Sequence, residues 1–176
     1  MKAIFLDRDG TINDGVPTYE RVDSPDKVTL LPNTLEALKL LTEMDYIVFF
    51  VTNQAGLAEG LITHAQFDEI NNKVLQVIAP SGIKITKTYV CPHGEDAVCD
   101  CRKPKPKMLL DAAQEFGIDL SQSWMIGDRE SDVMTGVNAG TKAILVMTGK
   151  KDARAEQASF VAPSLLEAIQ YIAEHN

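Results

Sequence analysis

Asp7 and Asp9 stand one residue apart in FLDRDGTIND (residues 5–14), where an apolar run close to the N-terminus gives way to Gly10 and Thr11. Two carboxylates this close repel each other and weaken folding unless a positive charge sits with them. Asp128 follows another apolar run, SWMIG, inside GDRESD (127–132), and Asp132 comes four positions later. Thr52 and Asn53 follow a third run, YIVFFV, and RKPKPK (102–107) adds Arg102 and Lys103. Hard oxygen ligands in this number suit Mg²⁺, which is held by one or two carboxylates plus a substrate phosphate. The set therefore reads as a magnesium site that also receives a substrate phosphate, with a hydroxyl and basic residues beside it.

A second constellation lies in CPHGEDAVCDC (91–101), which contains all three cysteines of the chain. Cys91 and His93 form one tight pair, Cys99 and Cys101 another, and together they are the ligand set of a closed tetrahedral zinc site. Four protein ligands leave no open coordination position, so this Zn²⁺ is expected to be structural. It would fix the loop over 91–107 that delivers Arg102 and Lys103. No Cys-x-x-Cys is present, which argues against a redox role. His64 and His175 read as solvated helix residues.

Short apolar runs rich in β-branched and aromatic side chains recur at 2–6, 46–51, 86–90, 123–127 and 142–147, and predict the buried strands that must position these groups. Helical patterns fall between and after them, over 33–44, 64–79, 106–116, 130–138 and 164–174. Asn33, Thr63 and Ser164 suit N-caps, Pro106 a first turn, and Gly117 and Gly140 helix stops. The alternation predicts an α/β fold, a doubly wound, Rossmann-like parallel sheet covered by helices on both faces. Ligands in such sheets bind at the carboxyl ends of the strands, where Asp7, Thr52 and Asp128 all fall.

The chain of 176 residues, 45% apolar, predicts a single domain over 1–176 with a sizeable core. A formal charge of −8 disfavours nucleic-acid binding, which rests on Lys and Arg against phosphates. No run is long enough for a membrane helix, and Met1-Lys2 leads straight into a strand, so a cytoplasmic monomer with no membrane partner is expected. Too little chain separates the motifs to hold a separate cap domain, which leaves a flap segment at 13–31 and the zinc loop to close the site.

DRDGT (7–11), TNQ (52–54), Lys103 in RKPKP and GDRESD (127–132) resemble, in order, the four motifs of the haloacid dehalogenase-like phosphohydrolases. That resemblance implies Asp7 as the nucleophile forming an aspartyl-phosphate, Asp9 as general acid and then base, and Thr52 and Lys103 as holders of the phosphoryl oxygens. It implies Asp7, the Asp9 carbonyl and Asp128 as Mg²⁺ ligands, with Asp132 orienting them. Asn53, Arg102 and Arg129 are expected to contact substrate. Arg102, Arg129, Lys105, Lys107, Lys150 and Lys151 would form a local positive patch for an anionic metabolite.

The zinc loop resembles two branches of that family, one acting on D-glycero-D-manno-heptose 1,7-bisphosphate and the other on histidinol phosphate. TNQAGLAEG, THAQF, KPKPKMLL and GTKAILVMTGK look more like the first, whereas the short gap between His93 and Cys99 and the GDR of 127–129 look more like the second. The sugar bisphosphate is the favoured expectation. An amine-bearing substrate would instead call for an acidic loop, with Glu20 and Asp23 as candidates. A phospho-receiver domain and a zinc-organised binding module are the rival classes. The first would carry its phosphorylated aspartate after a later strand, and the second would make Asp7 dispensable.

Overall fold

A computed structural model describes residues 1–14, 22–149 and 156–175. Part of the expected flap, together with Glu20, Lys150 and Lys151, lies outside the described residues. Six strands form one parallel sheet among the described residues: β1 (Ala3–Leu6), β2 (Ile47–Asn53), β3 (Ile85–Cys91), β4 (Trp124–Gly127), β5 (Lys142–Val146) and β6 (Phe160–Ala162), in the spatial order β3-β2-β1-β4-β5-β6. The order reverses at β1, which pairs with β2 on one side and β4 on the other. Helices α1 (Thr34–Thr42), α2 (Ala55–Ala58), α3 (His64–Ile78), α4 (Lys107–Phe116), α5 (Glu130–Ala139) and α6 (Leu165–Glu174) complete the architecture.

Alternation along the strands splits the core into two layers. Ile4 and Leu6 of β1, Phe50 of β2 and Ile126 of β4 pack against Leu38 of α1, Val74 of α3 and Ile169 of α6. Ala3 and Phe5, with Phe49 and Met125, face the other way onto Met108, Leu109 and Ala112 of α4. Both faces are therefore covered, as a parallel sheet requires. Ser123 ties the start of β1 to β4, its hydroxyl accepting from the Ala3 N–H at 2.9 Å and donating to the Asp119 carbonyl at 2.7 Å.

Local chemistry explains most element ends. Thr63 and Gln66 form a capping box on α3, and Ser164 accepts from the Leu166 N–H on α6. Gly117 and Gly140 close α4 and α5 in the left-handed conformation. Two expected caps differ. Asn33 precedes α1 but adopts φ 63° and its side chain makes no capping bond, so it serves as a left-handed turn residue. Pro106 is the residue before α4 rather than inside its first turn, its carbonyl accepting from the N–H groups of Leu109 and Leu110.

Thr52 and Asn53 belong to β2 rather than following it, because β3 pairs with β2 as far as Asn53. Strand β6, unanticipated from the sequence, is three residues long and too short to display a period of two; its pairing with Ile144–Val146 of β5 creates it. Between β1 and α1 the described chain holds a 3₁₀ turn at Pro25–Lys27, and after β2 it runs into α2 and α3, with no inserted domain among the described residues. No helix among the described residues is long and apolar enough to cross a membrane.

Candidate active site

The carboxyl ends of β1, β2 and β4 open into a cavity of about 500 Å³, lined by Asp7, Asp9, Thr52, Asn53, Gln54, Glu95, Arg102, Lys103, Arg129 and Asp132 among others. The three strand exits and the loop after β3 thus converge, and the sequence-derived catalytic set comes together around one space. Asp7 is fixed at the end of β1 by its own N–H, which donates to the Ile126 carbonyl of β4 at 2.9 Å.

Lys103 is the centre of the polar network. The residue is 6% exposed, and its ammonium lies 2.6 Å from Asp7 Oδ1 and 2.6 Å from Asp132 Oδ1 and donates to the Val51 carbonyl at 2.9 Å. Burial alone would favour a neutral amine, but Asp132 and Asp7 outweigh it and raise the pKa, holding the charge. The backbone of Lys103 is pinned as well: its N–H donates to Asn53 Oδ1 at 3.1 Å, and Asn53 Nδ2 donates back to the Lys103 carbonyl at 3.3 Å. Asn53, expected to contact substrate, thus lines the cavity with its amide already spent on positioning Lys103.

Asp9 sits in a different environment from Asp7. Arg8 grips it with two donors, Nε to Oδ1 at 3.1 Å and Nη2 to Oδ2 at 2.8 Å, while Asn13 Nδ2 and Gln54 Nε2 add contacts of 2.9 and 2.7 Å. Burial pushes the Asp9 pKa up, but the Arg8 guanidinium and these hydrogen bonds win and lower it. Burial pushes Asp7 up too, and there the Asp132 and Asp128 carboxylates reinforce it against Lys103, so its pKa rises well above the usual range. Gln54 Nε2 also donates to Thr52 Oγ1 at 2.8 Å, which aligns that hydroxyl with Asp9. Arg8, Asn13 and Gln54 were not singled out from the sequence. Arg8 is 1% exposed with its guanidinium over the Phe67 ring, and the only signal was a charge at the end of an otherwise apolar strand.

A divalent cation fits the carboxylates. Oxygens of Asp7, Asp128 and Asp132, all buried, lie within 4.8 Å of one another. The backbone approaches Asp128 so closely that a Cβ on Gly10 would come 2.6 Å from Asp128 Oδ2, and one on Gly149 would overlap the same carboxylate. Asp132 is committed elsewhere, its Oδ1 to Lys103 and its Oδ2 to the Arg129 N–H at 3.0 Å, which leaves Asp7 and Asp128 as the direct carboxylate candidates. Hard anionic oxygens in a tight cluster suit Mg²⁺.

The thiol cluster is likewise gathered. One donor atom each of Cys91, His93, Cys99 and Cys101 falls within 4.8 Å of the others, and the cysteines form no disulfide. Cys91 Sγ lies 3.9 Å from Cys99 Sγ and 3.5 Å from His93 Nδ1. Burial and the bond with Cys101 push the Cys91 thiol up to about 12, a cost that a bound cation would remove. Around this cluster Arg102 Nη1 donates to the His93 carbonyl at 3.0 Å, and Arg102 Nη2 meets Glu95 Oε1 at 3.3 Å.

The expected positive patch is narrower than its sequence suggested. Arg102 and Arg129 line the cavity, but Lys105 donates to the Cys99 carbonyl and Lys107 pairs with Asp111 at 2.8 Å, one helical turn on, and neither lines it. Asp23 pairs with Lys27 at 2.9 Å and does not line the cavity either.

Residues 100–168 match the family described as HAD-hydrolase-like. The D-glycero-β-D-manno-heptose-1,7-bisphosphate 7-phosphatase of Bordetella bronchiseptica is 40% identical over 149 residues, covering 85% of this chain and 82% of that protein. The enzyme of the same name from Pasteurella multocida is 38% identical over 176 residues, 94% of each chain. A crystal structure of the D,D-heptose 1,7-bisphosphate phosphatase from B. bronchiseptica, complexed with magnesium and phosphate, matches with a TM-score of 0.90 at 34% identity over 100% of both chains.

The reciprocal Asn53–Lys103 bonds generate a direct expectation. Asn53→Ala removes both and is expected to lower kcat for phosphate release by about tenfold, since each such bond contributes roughly 0.5–1.5 kcal/mol. Steady-state phosphate-release kinetics with Mg²⁺ present measures this; an unchanged kcat would show that Lys103 needs no help from Asn53.

Proposed function

Since the chain belongs to the haloacid dehalogenase-like hydrolase family and is a phosphatase acting on phosphoric monoesters, we propose that it removes one phosphate from a heptose 1,7-bisphosphate through an aspartyl-phosphate on Asp7. The observation that carries the bisphosphate reading is Arg102, a fixed guanidinium in the cavity one residue from Lys103. Its planar fork suits the oxygens of a second phosphate. The relatives that share most of this chain's length bear that substrate in their names.

Asp7 attacks phosphorus from the end of β1; Lys103 at 2.6 Å favours its anionic form against burial and the neighbouring carboxylates, and a cation held beside it would favour that form further. Thr52 and Lys103 hold phosphoryl oxygens as negative charge spreads over them. Magnesium held by Asp7, the Asp9 carbonyl and Asp128 would neutralise further charge on the phosphoryl group. Asp9 protonates the leaving alcohol and then takes a proton from the attacking water. Arg8, Asn13 and Gln54 fix the direction in which its carboxyl points. An arriving phosphoryl dianion works against the Arg8 charge and favours the protonated carboxyl needed in the first half-reaction.

Zinc held by Cys91, His93, Cys99 and Cys101 would organise the loop that carries Arg102, whose Nη1 is bonded to the His93 carbonyl. Lys103 is secured separately by Asn53 and Val51 of β2. Zinc therefore acts on substrate reach more than on the phosphoryl step.

Three measurements test this reading. Asp7→Asn is expected to cut turnover by at least about a thousandfold while circular dichroism stays native, because the nucleophile is gone and carboxylate repulsion is relieved; retained turnover rules out the covalent route. The wild-type kcat/KM for heptose 1,7-bisphosphate is expected to exceed that for histidinol phosphate by at least about tenfold, the scale of one charge-assisted contact; the reverse preference transfers the assignment to the amine substrate and leaves the phosphatase intact. Purified protein is expected to carry about one zinc per chain by elemental analysis, and Cys99→Ser to lose it with a larger rise in KM than fall in kcat. A zinc-free protein with wild-type KM and kcat disproves the structural role of the metal.

A further inference from the structure

Glu95 is the one acidic side chain of the described cavity lining that stands apart from the phosphoryl end, and its only described bond is to Arg102. The two members of this pair are held very unequally. Arg102 is 19% exposed and has a second anchor on the His93 carbonyl at 3.0 Å, whereas the Glu95 side chain is 81% exposed and makes a single contact of 3.3 Å. Glu95 can therefore swing into water while Arg102 stays in place. A phosphate reaching the guanidinium must displace it, because a carboxylate and a phosphate dianion on the same fork repel each other. A sugar hydroxyl, with no charge, cannot compete with a carboxylate for that position.

We infer that Glu95 is a displaceable counter-ion of the second-phosphate contact: it occupies Arg102 until a dianionic group displaces it, and so tempers the affinity gained from a second phosphate while leaving esters with a neutral far end unaffected. The inference rests on the reading of Arg102 as the contact for the second phosphate. Its energetic scale is that of a solvent-exposed ion pair, which translates to about two- to fivefold in binding. A tail bearing an amine would experience the opposite sign, since Glu95 attracts what Arg102 repels.

The test compares KM for heptose 1,7-bisphosphate with KM for heptose 7-phosphate, which lacks the second phosphate, in wild type, Glu95→Gln, Arg102→Ala and the double variant, all with Mg²⁺ and zinc present. Glu95→Gln is expected to lower the ratio of the bisphosphate KM to the monophosphate KM about two- to fivefold in the Arg102 background and to leave it unchanged in the Arg102→Ala background. A change below about twofold, a rise in the ratio, or an equal fall without Arg102 overturns the counter-ion role. If Arg102→Ala alone leaves the ratio at its wild-type value, Arg102 does not read the second phosphate and the inference falls with that assignment. If Arg102→Ala raises the ratio but Glu95→Gln does nothing, the bisphosphate reading stands and only Glu95 is excluded.

Discussion

One buried ammonium holds the site together. Lys103 lies between Asp7 and Asp132 at 2.6 Å from each, almost fully buried at the floor of the cavity. Without it, Asp7, Asp128 and Asp132 would place three carboxylates in one buried cluster with no fixed positive charge, and burial would drive protons onto them. A buried charge with satisfied partners contributes little net stability, yet removing one member leaves the others uncompensated. The surrounding architecture follows from that constraint. Asn53 and Val51 anchor Lys103 from β2, and Arg129 N–H steadies Asp132 from the start of α5.

Asp7 and Asp9 show how two carboxylates two positions apart acquire different environments. Burial acts on both, but the neighbours decide the sign: Asp128 and Asp132 push Asp7 up, while Arg8, Asn13 and Gln54 pull Asp9 down. These shifts run opposite to the two roles, since a nucleophile is used ionised and an acid protonated; a cation held at Asp7 would lower the first and a phosphoryl dianion beside Asp9 would raise the second. Arg8, in the bend beyond β1, turns into the protein, lies over the Phe67 ring of α3 and grips the adjacent Asp9.

Much of this was legible in the sequence. Apolar runs located β1 to β5, turn glycines located the ends of α4 and α5, and the rule that parallel sheets bind at strand exits gathered Asp7, Thr52 and Asp128 before any coordinates. The spacing of Cys91, His93, Cys99 and Cys101 announced a chelating cluster. What escaped was whatever depends on a partner far along the chain. Strand β6 has no pattern of its own and exists by pairing with β5. Gln54 bonds Asp9 from 45 positions away, Asn53 bonds Lys103 from 50, and Glu95 acquires meaning only beside Arg102 in the cavity. Lys105 and Lys107 failed in the other direction: a run of basic residues looks like one patch, but successive side chains leave a turn and a helix start in different directions.

The reversal of strand order at β1 also dictates when the molecule can first exist as a catalyst. β1 borders β2 and β4, and the Ala3–Ser123 bond that closes the second border joins residues 120 positions apart. During synthesis Asp128 follows the acidic pair beyond β1 by a delay on the order of ten seconds at typical elongation rates. Through that interval the nascent chain can pair β1 with β2 and fill one flank of the sheet, while the other flank of β1 stays open. Closing so long a loop is a late and entropically costly event. The site is therefore complete only once β4 docks, and a fragment that stops before Asp128 lacks part of the carboxylate cluster.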